Sequence, residues 1–306
     1  MKAKNLISIK DLSISDIEEI FALTAKLKSE GRISAGEPLK GKTLGLIFQK
    51  PSLRTKVSFA AAMAQLGGTS IFLAPEEVKL GEREEIKDVA RTLSRYLDGI
   101  VARTFKHEDI VELAEYSSVP VINGLSDFSH PCQALSDLFT VKEKKEKLKG
   151  VKITFVGDGN NVCNSLLMAS ARLGADIAVA TPKGYEPDRE VVKIALDFAA
   201  VTGSKVAISS DPEDAVSGAD VVYTDVWTSM GQEKERNKRL KEFKGFQINE
   251  KLCSKAKKDH IIMHCLPAHR GEEISDESLE SPHSVVFDQA ENRLHVEKAI
   301  LMLLLK

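Results

Sequence analysis

A polar stretch between a short apolar run and a helical pattern supplies the first residues that could do chemistry. Ser52, Leu53, Arg54 and Thr55 follow the apolar run 43–48, which is typical of a buried strand, and helical spacing begins after them. Amide N–H groups at a helix start lack internal partners, and the helix dipole makes that end positive. Two hydroxyls and a guanidinium at such a point favour a phosphate ligand. The alternative is an ordinary helix cap with solvated charges, because serine and threonine are common cap residues.

Two further strand ends carry groups that suit an anion or a carbonyl oxygen. Arg103 closes the apolar run 99–103, and it is either a ligand for an anion or a surface charge. His130 and Gln133 lie one helical turn apart at a helix start, so their side chains share a face. An imidazole N–H and a carboxamide together can bind a carbonyl-type oxygen. A helix cap with a satisfied histidine is the alternative for this pair.

The turn 157–161 (GDGNN) follows an apolar strand pattern and opens a helix, as a dinucleotide-binding turn would. The third glycine of that fingerprint is missing, and the next strand pattern ends without the acidic residue that binds a ribose. Asn160 and Asn161 suit a carboxylate or an amide instead, since carboxamides and free helix N–H groups are good partners for both. Because the turn still follows a strand and opens a helix, a dinucleotide-dependent oxidoreductase stays as a second hypothesis, from a different class of protein.

Histidines and a cysteine late in the chain suggest a zinc site, but their spacing matches no zinc template. They are His260, His264, Cys265 and His269. Alternate residues on a strand face opposite sides, so we expect His264 and Cys265 to point apart. Cys265 is a better candidate for a thiol that contacts a substrate, with a small buried apolar residue as the alternative. Asp225, also at a strand end, is either a cap or a ligand for an amine.

Strand and helix patterns alternate through both halves of the chain, which predicts an α/β fold with two parallel-sheet domains. We expect the first domain to cover residues 1–149 and the second 150–289, followed by a closing helix. The pattern also predicts an irregular loop at 75–85 and a last short strand at 285–288. In parallel sheets, ligands bind beyond the carboxyl ends of the strands, and the polar clusters all follow strands. We therefore expect the active site in the cleft between the domains.

The composition is typical of a soluble globular protein, with 306 residues, 42% hydrophobic and 29% charged. A net charge of −2 argues against nucleic-acid or membrane-surface partners, which usually demand a basic excess. The N-terminal residues lack the apolar core of a signal peptide, and no apolar run is long enough to span a bilayer. The four cysteines form no CxxC pair, so we expect a reduced, cytoplasmic protein without a disulfide framework.

Taken in order, these motifs resemble the ornithine carbamoyltransferase family, and the resemblance runs over nearly the whole chain. The motifs are Ser52-x-Arg54-Thr55, Arg103, His130-Pro-Cys-Gln133, Asn161, Asp225-x-x-x-Ser229-Met230-Gly231 and His264-Cys265-Leu266-Pro267. The first three are shared with aspartate carbamoyltransferases and indicate only the carbamoyl-phosphate half. The Ser-Met-Gly run at 229–231 and the run HCLPAHRG at 264–271 are the more specific, ornithine-type signatures.

The resemblance implies that the first domain, with the closing helix 290–306 packed back on it, binds carbamoyl phosphate, and that the second domain binds ornithine. Carbamoyl phosphate would be bound by Ser52, Leu53, Arg54, Thr55, Lys79, Arg103, His130, Gln133, Cys265, Leu266 and Arg293. Ornithine would be bound by Asn161, Asp225, Ser229 and Met230. Catalytic roles would belong to Arg54, Arg103, His130, Asp225 and Cys265. The resemblance further implies a homotrimer, or a multiple of trimers, with each site at a subunit interface, and no metal or cofactor.

Three positions depart from the family pattern. Lys79 stands where glutamine is usual, in a loop that reaches the neighbouring subunit's phosphate, and a lysine could make that contact as a point charge. Leu53 replaces the commoner threonine of the SxRT turn. Ala60 replaces a common glutamate, which removes a possible partner for a basic residue.

The implied reaction transfers the carbamoyl group to the side-chain amine of ornithine and releases citrulline and phosphate. Putrescine or another amine is the alternative acceptor, although putrescine would not need the residues at 229–231 that bind an amino acid. Aspartate is disfavoured by the HCLPAHRG run. A third hypothesis is a non-catalytic anion- or amino-acid-binding protein of the same fold, against which the intact arginine, histidine and cysteine set argues.

Overall fold

The computed structural model describes residues 1–31, 37–229 and 231–306 and divides into two compact units. Unit 1 comprises Met1–Ser136 with Glu291–Lys306, and unit 2 comprises Asp137–Ala290. The predicted domain boundary near residue 150 concerns the ligand-binding halves and stays a prediction. Across the described residues, no helix is both long enough and apolar enough to cross a membrane.

Unit 1 is built on a parallel sheet of four strands in the order β2-β1-β3-β4. The strands are β1 (Thr43–Phe48), β2 (Thr69–Leu73), β3 (Gly99–Arg103) and β4 (Val121–Leu125). The helices are α1 (Ile14–Ser29), α2 (Leu53–Gln65), α3 (Pro75–Val78), α4 (Ile86–Leu93), α5 (His107–Tyr116) and the start of α6 (Pro131–Lys145). Apart from the half-buried Thr43, β1 is buried, and β3 is buried throughout, because helices cover both faces of a parallel sheet. The edge strand β2 is largely exposed.

Unit 2 is built on a second parallel sheet, of five strands in the order β7-β6-β5-β8-β9. The strands are β5 (Lys152–Val156), β6 (Asp176–Ala180), β7 (Val206–Ser209), β8 (Val221–Thr224) and β9 (Ile261–His264). The helices are α7 (Asn161–Arg172), α8 (Arg189–Thr202), α9 (Pro212–Val216), α10 (Arg236–Glu242), α11 (Glu250–Cys253), α12 (Asp276–Leu279) and the start of α13 (Val286–Leu305).

The strand order of each sheet determines which loops become neighbours. In unit 1 the chain runs from β1 outward to β2 and then returns to place β3 on the other side of β1. In unit 2 the same reversal places β8 beside β5. Such switch points leave a crevice beyond the carboxyl ends of the two central strands. The turn after β1 therefore lies beside the end of β3, and the turn after β5 lies beside the end of β8.

The prediction of two parallel α/β sheets is confirmed, and so is the packing of the last helix against unit 1. Within unit 1, the Asn292 side chain of α13 accepts a hydrogen bond from Lys28 Nζ at 2.8 Å. The predicted strand at 285–288 is wrong, because α13 begins at Val286 and only an isolated bridge joins Ser284 to Ile262. The predicted irregular loop at 75–85 opens with the short helix α3. Periodicity cannot separate a short apolar run of a strand from a buried helical turn.

Candidate active site

The turn after β1 presents side chains that are not used to cap α2. Ser52 occupies the cap position but makes no cap hydrogen bond, and its Oγ accepts a hydrogen bond from Arg103 Nη1 at 3.3 Å. Thr55 is buried, and its Oγ1 accepts from Arg293 Nη2 at 3.1 Å. The cap alternative therefore does not hold for Ser52. The Leu53 side chain is 75% exposed, so at this turn only its backbone N–H, at the start of α2, could donate to an anion.

Arg293 of α13 is fixed by three partners in unit 1. Its Nη1 donates to Gln133 Oε1 at 2.6 Å, and its Nη2 donates to Thr55 as described. Its Nε and Nη2 both donate to Glu297 Oε1, at 3.1 and 2.9 Å. Glu297 was not among the predicted site residues, although its position four residues after Arg293 on one helix was a usable signal. Glu297 supplies a buried carboxylate to Arg293. At position 60, where the family commonly has a glutamate, this chain has alanine.

His130, at the start of α6, is buried and electrically neutral at physiological pH. Its pKa lies well below the ordinary value for histidine, mainly because burial disfavours the charged ring and further because Arg293 and Arg103 lie nearby. A neutral imidazole can donate an N–H to a carbonyl oxygen without competing for the anion that the arginines attract. The structure thus brings His130, Gln133, Arg103 and Arg293 together with the Ser52–Thr55 turn.

In unit 2, the Asp225 carboxylate after β8 holds the Cys265 thiol after β9. Cys265 Sγ donates to Asp225 Oδ1 at 3.0 Å, and Asn160 Nδ2 donates to Asp225 Oδ2 at 2.8 Å. The expectation that His264 and Cys265 point apart is wrong, since the ligating atoms of Asp225, His264 and Cys265 all lie within 4.8 Å of one another. The alternation of a strand stops where β9 ends, at His264, and Leu266 takes a positive φ of 57°.

His264 is anchored at both ring nitrogens. Its Nδ1 accepts a hydrogen bond from the Leu266 N–H at 2.8 Å, so the proton resides on Nε2, which donates to Glu273 Oε1 at 3.1 Å. Both residues are fully buried. The pair therefore fixes the backbone at Leu266, and a metal could bind this imidazole only by displacing one of these hydrogen bonds.

The remaining predicted residues lie at the margins of these two clusters. Asn161 is the first residue of α7 and half-buried, with its Oδ1 accepting from the Val162 N–H at 2.9 Å. Ser229 is half-buried, and its N–H donates to Gln232 Oε1 at 3.1 Å. Met230 lies outside the described residues. Lys79 is exposed, follows α3 and takes a positive φ of 39°.

Each cluster has a chemistry of its own. The unit 1 cluster presents guanidinium, hydroxyl, imidazole and amide donors, which suit an anion that also bears a carbonyl group. The unit 2 cluster presents a carboxylate, a thiol and a helix-start carboxamide, which suit an amino acid with a side-chain amine. No disulfide links the four cysteines; three are buried and Cys265 is half-buried.

Comparison with known proteins assigns the two halves to one family. Residues 4–143 match the model of the aspartate/ornithine carbamoyltransferase carbamoyl-P binding domain, and residues 149–304 match that of the Asp/Orn binding domain. The chain is 54% identical over 308 residues to an ornithine carbamoyltransferase of Pyrococcus horikoshii, covering 100% of this chain and 96% of the relative. It also matches the structure of the Pyrococcus furiosus ornithine carbamoyltransferase with a TM-score of 0.94 and 53% identity, over 97% of this chain and 95% of the other. The Thermus thermophilus structure matches with a TM-score of 0.91 and 45% identity, over 100% of both chains. The chain therefore belongs to the aspartate/ornithine carbamoyltransferase family.

Proposed function

We propose that this protein is an ornithine carbamoyltransferase, which transfers the carbamoyl group of carbamoyl phosphate to the side-chain amine of L-ornithine and yields L-citrulline and phosphate. The observation that carries the proposal is the contact of the Cys265 thiol with the Asp225 carboxylate at 3.0 Å, next to the helix-start carboxamides of α7. A thiol and a carboxylate side by side suit an amine, and the relatives at 50% identity and above carry the same name.

The residues of unit 1 are proposed to bind carbamoyl phosphate. Arg54, Arg103, the hydroxyls of Ser52 and Thr55 and the Leu53 N–H would hold the phosphate, with Lys79 as a further cation. His130, Gln133, Thr55 and Arg293 would polarise the carbonyl oxygen. The backbone at Cys265 and Leu266 would position the carbamoyl NH2 group. Arg103, Gln133 and Arg293 are already held by protein contacts, and preorganised donors need no reorganisation as charge develops.

The chemistry requires a neutral amine as the nucleophile. A lysine-like amine has a pKa of about 10.4, so its deprotonation near pH 7 costs about 4–5 kcal/mol. Asp225 and Cys265 would orient the amine, while Asn161, Ser229 and Met230 would hold the amino-acid end. The nitrogen attacks the carbonyl carbon, the oxyanion is stabilised by donors that contribute roughly 3 kcal/mol each, and the C–O bond to phosphate breaks. The departing phosphate takes the proton that the amine loses.

We further propose a homotrimer, or a multiple of trimers, in which Lys79 serves a neighbouring subunit. Exposed apolar side chains on α2 and β2 support an interface on unit 1: Leu53, Val57, Ile71 and Phe72. Surfaces rich in exposed apolar side chains are typical of protein–protein contacts. A cytoplasmic location fits the four free cysteines, and a role in arginine biosynthesis fits the Pyrococcus furiosus relative, which is named anabolic. The predicted cleft between the domains, and the expectation of no metal or cofactor, stay predictions.

The deciding experiment measures product formation from carbamoyl phosphate with four acceptors in parallel: ornithine, putrescine, N-acetylornithine and aspartate. We expect citrulline from ornithine and at least 100-fold lower kcat/KM with the other three, by the discrimination that unpaired polar groups impose. N-acetylornithine tests the amino-acid grip, because acetylation removes the charge of the α-amine and leaves the reacting amine intact. Faster turnover of putrescine than of ornithine would replace the proposed acceptor with a diamine.

A further inference from the structure

Arg239 is the one buried residue of α10, and its partners connect three segments of unit 2. Its Nη1 donates to Asp158 Oδ2 at 2.8 Å and to the Trp227 carbonyl oxygen at 2.9 Å. Its Nε donates to Glu235 Oε2 at 3.1 Å. A buried guanidinium is tolerated only where its charge is paired and its donors are satisfied. Arg239 therefore ties α10 to the turn after β5 and to the chain after β8.

The turn that carries Asp158 has little freedom to move. The Gly159 N–H donates to the Tyr185 carbonyl oxygen at 2.9 Å, and the backbone of 185–187 packs directly against this glycine. A Cβ at Gly159 would lie 2.3 Å from Pro187 N and 2.6 Å from the Tyr185 oxygen, which excludes any side chain there. Asp158 therefore presents its carboxylate from a fixed backbone.

The same turn is linked to the segment 225–229 at two points, once directly and once through Arg239. Asn160 Nδ2 donates to the Asp225 carboxylate, while Asp158 acts through Arg239 on the Trp227 carbonyl. Trp227 lies midway between Asp225 and Ser229, the two described residues of this segment that are assigned to the amino acid. The ring of Trp227 also stacks on Phe243, with centroids 5.5 Å apart.

We propose that the Asp158–Arg239 ion pair positions the segment 225–229 and thereby sets the affinity for the amino-acid substrate while leaving carbamoyl-phosphate binding unaffected. Neither residue touches a substrate in this assignment; both are positioning residues. The inference rests on the proposed function, in that the amino acid is taken to be ornithine. It adds that binding of the amino acid depends on an ion pair that does not itself contact the amino acid.

Burial gives the pair a dependence on pH. It raises the pKa of Asp158 to about 6, with Asp225 and Glu235 adding to the rise and Arg239 opposing it. As pH falls through this value, Asp158 takes up a proton and the ion pair becomes a hydrogen bond between a neutral acid and a cation. The hold on the Trp227 carbonyl should loosen, so affinity for the amino acid should decrease on the acid side.

The test uses L-norvaline, which is ornithine without its side-chain amine and keeps one charge state between pH 5.5 and 7.5. Calorimetry in the presence of carbamoyl phosphate gives the Kd of L-norvaline for the whole 306-residue chain. We expect Asp158→Asn and Arg239→Lys each to raise this Kd about tenfold, with the KM for carbamoyl phosphate changed by less than about twofold. Glu235→Gln is the matched control, since it removes the exposed partner of Arg239 and should change the Kd by less than about twofold. The wild-type Kd should rise from pH 7.5 to 5.5, and that of Asp158→Asn should stay flat.

Unchanged norvaline binding in both variants would overturn the inference, and so would a loss of carbamoyl-phosphate affinity of the same size. A single variant that fails to fold is replaced by Asp158→Asn combined with Arg239→Met, which leaves no unpaired buried charge. That double variant should bind norvaline as weakly as a folded single variant, and tight binding by it would contradict the proposal. Citrulline formation by the wild type tests the proposed function separately, because it does not involve these variants.

Discussion

His130 shows how a residue's surroundings select its protonation state. It is buried beside two arginines, so its pKa is held well below the ordinary histidine value, and the ring is neutral. In the unfolded chain the same ring takes up a proton near pH 6.5. The folded state therefore binds fewer protons than the unfolded state below that pH, and stability declines as pH falls.

We predict that His130→Asn reduces this acid destabilisation. Between pH 7.5 and 5.5, the wild type should lose about 1 kcal/mol more unfolding free energy than the variant. The reason is that the variant lacks the His130 ring, whose protonation favours the unfolded chain. Urea unfolding at both pH values measures the difference. His107, His260 and His295 also have lowered pKa values from burial, but they are common to both proteins and cancel in the comparison. Parallel losses in the two proteins would mean that His130 takes up a proton in the folded state over the same pH range as in the unfolded chain.

Residue types at strand ends were predictable from the sequence, whereas their partners were not. Arg54, Arg103 and His130 follow apolar runs that alternate with helices, and that pattern alone places them at one edge of a sheet. The contact of Asn160 with Asp225 escaped prediction because a hydrogen-bond partner depends on side-chain geometry between segments distant in sequence. Glu297 was missed although it lies four residues after Arg293 on one helix. Arg239 lies in a charged helix that reads as fully solvated, so nothing in its spacing marks it as buried.

At the scale of elements, two helix starts with the same residue type do different work. Ser13 caps α1 with a reciprocal capping box, in which its side chain accepts from Asp16 N and the Asp16 carboxylate accepts from Ser13 N. Ser52 stands at the corresponding position of α2 and makes no such bond, so its hydroxyl is available to Arg103 and to a ligand. The first serine stabilises its helix, and the second is proposed to bind the ligand.

These two serines give a paired prediction. Ser13→Ala should lower the unfolding free energy by about 1 kcal/mol, the usual loss for a cap, and leave the KM for carbamoyl phosphate unchanged. Ser52→Ala should change stability by less than about 0.5 kcal/mol and raise that KM about tenfold. Urea unfolding and initial-rate kinetics on both variants check the pair. A stability loss in Ser52→Ala equal to that of Ser13→Ala would return Ser52 to an ordinary cap.

Element bounds were predictable where periodicity is long or apolar runs are bounded by turns. Strands β1 and β3 lie where the apolar runs 43–48 and 99–103 place them. The error at 285–288 arose because two valines and a phenylalanine in a row suit either a strand or a helical turn. Only the packing of Val286 in the core of unit 2 separates the two.

At the scale of the whole molecule, the same strand arrangement occurs in both units. Each unit reverses its strand order beside a central strand, and each reversal holds a turn that opens a helix: Ser52–Thr55 after β1, and the turn 157–161 after β5. The alternation of strand and helix patterns in both halves of the chain predicted two parallel sheets. Assembly is not encoded in the periodicity of one chain, because exposed apolar side chains favour a partner without indicating its symmetry.

Lys79 provides the test of the proposed trimer, because its assigned ligand belongs to a neighbouring subunit. Arg54→Ala and Lys79→Ala should each reduce activity at least tenfold when assembled alone, since every site then lacks one cation. Dissociating the two variants together and reassembling them in equal amounts creates trimers of mixed composition. A site regains both cations when a Lys79→Ala subunit supplies Arg54 and its neighbour, an Arg54→Ala subunit, supplies Lys79.

Random reassembly around a three-fold axis places a Lys79→Ala subunit beside the required Arg54→Ala neighbour at about a quarter of the sites. The mixture should therefore recover about a quarter of wild-type activity, with normal KM values at the restored sites. Lys56→Ala replaces Lys79→Ala in the control mixture: Lys56 Nζ lies 3.2 Å above the centroid of the Phe72 ring in its own chain and has no assigned ligand. If Lys79 acted on the phosphate of its own subunit, no mixing could place both cations in one site, and activity would stay at the level of the separate variants. Sedimentation of the mixtures shows whether trimers have re-formed. If trimers have re-formed and activity is not restored, Lys79 acts on the phosphate of its own subunit.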